Sequence, residues 1–83
     1  TTIYNLKTSY QTRHKYLMVI TLNGEEQNIA DGATAADLVN SLELTGKRIA
    51  MEVNRTIIPR SRYEEHQLTD GDKIEIVHAI GGG

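Results

Sequence analysis

The residues with the most usable chemistry stand at the end of the sequence, Ile80-Gly81-Gly82-Gly83. Glycine has no side chain, so a carboxylate carried on Gly83 can thread a channel too narrow for any other residue. Unrestricted φ lets Gly81 and Gly82 follow whatever extended path such a channel imposes. The carboxylate, with a reference pKa of about 3.3–3.7, is ionised at neutral pH. In another enzyme's active site it can attack the α-phosphate of ATP and become an acyl-adenylate, a mixed anhydride that a sulfur nucleophile then opens. Glycine-rich ends are also common as plain frayed termini. What precedes the glycines therefore has to choose between the two readings.

The other reactive residue types point nowhere else. His14, His66 and His78 share no metal-ligand spacing, and His78 reads as a surface residue late on a strand. The acids Glu64-Glu65 and Asp70/Asp72 read as solvated loop and turn residues, not as a catalytic carboxylate pair. Gly24 and Gly32 fit no phosphate-binding pattern. Arg60 and Arg62 make a small basic spot, open to an acidic partner or to solvent alone. Cysteine is absent, which excludes disulfides, thiolate metal sites and a cysteine nucleophile. No metal site is expected.

Charge narrows the partners. Residues 1–17 hold Lys7, Arg13 and Lys15 and no acid, whereas residues 18–83 set six basic residues against eleven acids. Phosphate binding needs a basic face, so an acidic compact part argues against nucleic acid and suits docking to a basic protein surface. No apolar run approaches the roughly 20 residues that span a bilayer. We therefore expect a soluble, cytoplasmic protein without a membrane partner.

The chain is long enough for one small domain, with no Phe or Trp and hence an aliphatic core. Residues 1–17 lack any sustained period and read as a disordered extension, a tag or an upstream start; pairing of Thr8–Tyr16 with the sheet would overturn this. From Met18 the punctuation is clear. Met18, Ile20 and Leu22 alternate along a strand, and Asn23-Gly24 is a strong hairpin signal. Glu25 to Ala30 returns as a polar, edge-type strand. Thr34 with Asp37 forms a capping-box pair, and Ala35, Leu38, Val39 and Leu42 make one apolar helical stripe, released at Thr45-Gly46. Arg48 to Val53 is a third strand, with Ile49, Met51 and Val53 facing one way. Asn54-Arg55 turns into a short run, Thr56 to Ile58, that Pro59 stops. Arg60 to Gln67 is polar and irregular, with room for one 3₁₀ turn. Leu68 plugs the core, Asp70-Gly71-Asp72 turns, and Lys73 to Ile80 is the last strand, with Ile74 and Ile76 inward.

The order is ββαββ with a short extra strand, which predicts an α+β domain of four to five strands in a mixed sheet with one helix on one face. That is the β-grasp, or ubiquitin-like, layering. A ferredoxin-like split βαβ would need a second helix, which residues 60–67 are too short and polar to supply. On such a domain a terminal glycine triplet favours the reactive reading over the frayed one. The open sheet face beside the last strand is the expected docking surface: Val77, Ala79 and Ile80, rimmed by Glu75 and Arg48.

The blocks Leu22-Asn23-Gly24, Thr34–Leu42, Val53-Asn54-Arg55-Thr56-Ile57-Ile58-Pro59-Arg60 and Gly71–Gly83 together resemble the ThiS family, the small sulfur carriers of thiamine thiazole biosynthesis. The resemblance covers Met18 to Gly83. It departs in carrying three terminal glycines where many carriers have two, and it has no counterpart for residues 1–17. It implies that Gly83 is adenylated by a partner related to ubiquitin-activating enzymes, which consumes the ATP, so that the carrier binds no cofactor itself. A cysteine desulfurase or other persulfide donor would supply the sulfur, and thiazole synthase would accept it. Gly81 and Gly82 would thread into the partner. The chain would then be a cosubstrate, not an enzyme. Two other readings are a small subunit of molybdopterin synthase and a ubiquitin-like binding module without terminal chemistry.

Overall fold

The computed structural model describes residues 17–79. Strand β1 (Leu17–Leu22) buries Met18, Ile20 and Leu22 and exposes Leu17 and Val19, as strict alternation requires. It starts one residue before the expected Met18, because Leu17 pairs with Ala30 of β2 (Glu25–Ala30). The rest of the N-terminal segment, including Thr8–Tyr16, lies outside the described residues. Asn23 and Gly24 have φ of 51° and 86°, so both occupy the left-handed region that a tight two-residue hairpin turn demands. The polar β2 is an edge strand, as expected.

Helix α1 (Ala35–Ser41) opens on a complete capping box. The Asp37 N–H donates to the Thr34 hydroxyl at 3.2 Å, and the Thr34 N–H donates to the Asp37 carboxylate at 2.9 Å. A helix start leaves further N–H groups without partners inside the helix. The 60–67 loop supplies those partners: Ala35 donates to the His66 carbonyl and Ala36 to the Tyr63 carbonyl, both at 2.9 Å. Ala35, Leu38 and Val39 are buried, and Leu42 packs partly against them.

The helix ends at Ser41, not at the expected Thr45-Gly46. Glu43 takes a φ of 61°, its N–H donates to Asn40, and the Leu44 N–H donates back to the Val39 carbonyl at 2.9 Å. This is a Schellman closure with glutamate where glycine is usual. Packing explains it: Leu44 would fall off the apolar stripe of a continued helix, and reversing the chain at Glu43 returns it to the core. A left-handed residue carrying a Cβ is strained. Glu43→Gly should therefore stabilise the domain by about 0.5–1 kcal/mol, or roughly 5 °C in Tm, in a thermal melt. A lower Tm would show that the glutamate side chain contributes more than its backbone costs.

Strand β3 (Ile49–Val53) turns through Asn54-Arg55 into β4 (Thr56–Ile58), and a single 3₁₀ turn spans Arg60–Arg62. β3 starts at Ile49, one residue after the expected Arg48. Strand β5 (Lys73–His78) completes a five-stranded sheet in the order β2-β1-β5-β3-β4. The β1–β5 pair is parallel and the others are antiparallel, so the first and last strands lie side by side in the middle. With α1 on one face, this is the expected β-grasp layering. Ile20, Met51, Leu68 and Ile74 form the fully buried centre, with Leu68 delivered from the loop as expected.

Two departures come from the 60–72 segment. Tyr63 is buried in the core cluster, although its surroundings in sequence are polar. Asp72 is buried as well, not solvated. β5 also stops at His78, short of the expected Ile80, which lies outside the described residues. Among the described residues no helix is long and apolar enough to cross a membrane.

Candidate functional site at the end of the last strand

Strand β5 delivers the chain to its glycines, and its alternation fixes what surrounds them. Ile74 and Ile76 point into the core, so Glu75 and Val77 face the uncovered side of the sheet. Val77 is 57% exposed, although it is an aliphatic residue in a strand. Its partner across the ladder is Ala50, also exposed, and Glu75 pairs with Glu52. Beyond β5 the Ala79 N–H donates to the Arg48 carbonyl at 2.9 Å. Val77, Ala79, Glu75 and Arg48 are all exposed, on β5 or at its junction with the start of β3. Ile80, Gly81, Gly82 and Gly83 lie outside the described residues.

Sequence reasoning missed three members of this face. Ala50 and Glu52 are the outward residues of β3, and Ile57 of β4 is 66% exposed. Their signal was the alternation that placed Ile49, Met51 and Val53 inward, read for its other face. Glu52 opposite Glu75 sets two like charges in register, a destabilising arrangement on a sheet. Arg55 and Lys73 line the same shallow hollow and soften the repulsion. The face is therefore an apolar step beside an acidic pair.

The Arg60–Arg62 spot is committed to the fold. The Arg60 guanidinium donates to the Lys47 carbonyl, and Arg62 pairs with Glu65 at 3.0 Å in an exposed ion pair. His78 is exposed, and His66 is half-buried. No group of His, Asp or Glu among the described residues could hold a metal ion.

The Asp72 carboxyl has a displaced titration. Burial pushes its carboxyl up, but hydrogen bonds from the Thr69 N–H (2.8 Å), the Asn54 amide (2.9 Å) and the Thr69 hydroxyl (2.9 Å), with His66 nearby, outweigh it. The net result is a carboxyl below its ordinary value. The group ties the turn before β5 to the turn after β3 and serves architecture, not catalysis.

The sequence model of the ThiS family matches residues 20–83. The chain belongs to the ThiS family. It is 42% identical over 66 residues to the sulfur carrier protein ThiS of Bacillus subtilis, covering 78% of this chain and all of that one. It is also 41% identical over 66 residues to the thiazole synthase of Paramagnetospirillum magneticum, where the match takes 80% of this chain but spans only 20% of the synthase. The crystal structure of the thiamine biosynthesis protein ThiS from Geobacter metallireducens superposes with a TM-score of 0.70 at 25% identity, over 80% of this chain and all of that one. The ThiS match runs through the glycines, so the face around Val77 lies within the matched segment, next to them.

Proposed function

We propose that the chain is a sulfur carrier of thiamine biosynthesis whose terminal Gly83 carboxylate is the reacting group. The observation that carries this reading is the family match extending unbroken from β1 through Gly83, onto a β-grasp domain with cysteine absent from the sequence. Any sulfur held covalently then belongs on the chain terminus. The ThiS relatives are named sulfur carrier proteins, and this chain is likewise a carrier and not a catalyst. The family match favours this reading over a molybdopterin synthase subunit.

The chemistry follows from the carboxylate. An oxygen of Gly83 attacks the α-phosphate of ATP in a partner related to ubiquitin-activating enzymes, and pyrophosphate leaves. A persulfide sulfur, drawn from a cysteine desulfurase or an equivalent donor, attacks the acyl carbon and expels AMP. Cleavage of the resulting acyl disulfide by a thiol leaves the thiocarboxylate. Thiazole synthase accepts that sulfur, a partnership supported by the thiazole synthases that carry a segment similar to this chain.

Intact mass tests the reading. After incubation with ATP, a ThiS-type adenylating enzyme and a persulfide source, one oxygen should be exchanged for sulfur, localised to Gly83 by fragmentation. An unmodified terminus beside a loaded control carrier would overturn it.

The exposed apolar step supports docking through the open face. Val77→Asp adds a third acid beside Glu52 and Glu75 and removes the apolar contact, but it disturbs no buried group. Adenylation at limiting carrier should slow by about tenfold or more with Tm nearly unchanged. Unchanged kinetics would sink this choice of face.

A further inference from the structure

We propose that Asn23 is a positioning residue for the terminal reaction: its side-chain amide replaces a missing stretch of β1 and holds the end of β5 from which the reactive terminus departs. This rests on the sulfur-carrier reading.

The parallel β1–β5 ladder is short. The Thr21 N–H donates to the Asp72 carbonyl and the Asn23 N–H to the Ile74 carbonyl, each at 2.9 Å. Continued in the same rhythm, the ladder would give the Ile76 N–H the carbonyl of residue 23, and the Ile76 carbonyl the N–H of residue 25. Neither is made, because Asn23 enters the turn at φ 51° and the chain leaves for β2. The Asn23 side chain supplies both groups instead. The Ile76 N–H donates to Asn23 Oδ1 at 2.9 Å, and Asn23 Nδ2 donates to the Ile76 carbonyl at 3.2 Å.

A primary amide presents a donor and an acceptor side by side, as a peptide group does. Asn23 thus acts as one further ladder position, reaching across 53 residues of sequence. Asparagine meets both demands at once, since it tolerates the left-handed turn and carries this amide on a short stem.

The consequence lies downstream. Past Ile76, the described hydrogen bonds of β5 face β3, through the Val77–Ala50 ladder position and the Ala79 bond to Arg48. Among the described residues, the amide of Asn23 is the last tie on the β1 side. Gly83 lies seven residues beyond Ile76 in the chain, a reach of at most about 24 Å. The glycines can follow a partner's channel only from the point and direction in which β5 presents them, and Ile76 sets both. A carboxylate must come within about 3–3.5 Å of the atom it attacks. The root of the terminus therefore has to be fixed more firmly than an exposed strand end usually is.

Two substitutions separate the turn from the anchor. Asn23→Gly keeps the positive φ and removes both bonds. Asn23→Asp keeps an acceptor for the Ile76 N–H and sets a carboxylate oxygen against the Ile76 carbonyl. In the full chain, Asn23→Gly should speed exchange of the Ile76 amide by about tenfold relative to the Ile20 amide in the β1–β2 ladder. Its kcat in adenylation should fall by about tenfold with KM for the carrier unchanged, with Asn23→Asp intermediate. A merely destabilised carrier would lower the folded concentration and raise the apparent KM instead. Unaltered Ile76 exchange, faster exchange with unaltered kcat, or an effect on KM alone overturns the proposal. If the wild-type chain is not adenylated by an enzyme that loads a control carrier, the sulfur-carrier reading falls, and this role with it. In that case faster exchange in Asn23→Gly still marks Asn23 as a purely structural anchor.

Discussion

Asp72→Ala should lower stability by about 3 kcal/mol, which in a domain of this size is roughly 15 °C in Tm. The carboxylate accepts from the Thr69 N–H, the Thr69 hydroxyl and the Asn54 amide. Removing it leaves these donors part-buried without an acceptor, and desolvated donors cost more than the net value of the bonds they lose. Asn54 is affected a second time, since its Oδ1 accepts from the Lys73 N–H at 2.9 Å and so depends on the same orientation. Asp72→Asn is the informative companion. It preserves volume but turns a pure acceptor into a group that must point its own N–H₂ at one of these donors. We expect about half the loss.

The same carboxylate gives stability a pH dependence. Its folded pKa is depressed, so its contribution is fully present above the unfolded value of about 3.9 and fades as pH falls through the folded value. As pH falls below about 4, wild-type Tm should therefore drop more steeply than that of Asp72→Asn, which has no proton to gain. Parallel Tm curves for the two proteins across that range would show that Asp72 is not held as its surroundings indicate.

Converting the Gly83 carboxylate to an amide should abolish sulfur loading altogether, with no change in Tm. The proposed chemistry begins with that group. An amide is neutral and too weak a nucleophile to open ATP. Gly82→Ala is the graded version, because it leaves the carboxylate and adds one methyl group that a channel shaped for glycine must accommodate. Loading should fall by on the order of a hundredfold, the usual cost of displacing a reacting group by about 1 Å. Intact mass reads both. A loaded amide would refute the assignment of Gly83, and a fully active Gly82→Ala would remove the need for a narrow channel.

Much of this protein was legible in the sequence because the signals were local. Alternation over Met18 to Leu22 told the buried face from the open one, and the same rule placed Glu75 and Val77 on the outward side of β5. Asn23-Gly24 specified a turn with two positive φ values. Thr34 and Asp37 stand one helical turn apart, so the capping box was visible without any knowledge of the fold. The terminal glycines and the lack of cysteine led to the proposal that Gly83 carries the sulfur, because both are properties of the chain's composition and order alone.

Tertiary structure determined what depended on residues distant in sequence. Asp72 looked like an ordinary turn acid, and burial against Asn54, 18 residues away, made it structural. Tyr63 sat in a polar stretch, yet its carbonyl accepts from the start of α1 and the residue is buried in the core cluster. The helix stopped at Ser41 because Leu44 had core to reach, a demand that overrode the glycine expected to end it. Asn23 was recognised for its turn, while its hold on Ile76 appeared only once β1 and β5 lay side by side. Propensity and periodicity act over a few residues. The energy of burying a polar group depends on which partners the whole chain brings to it.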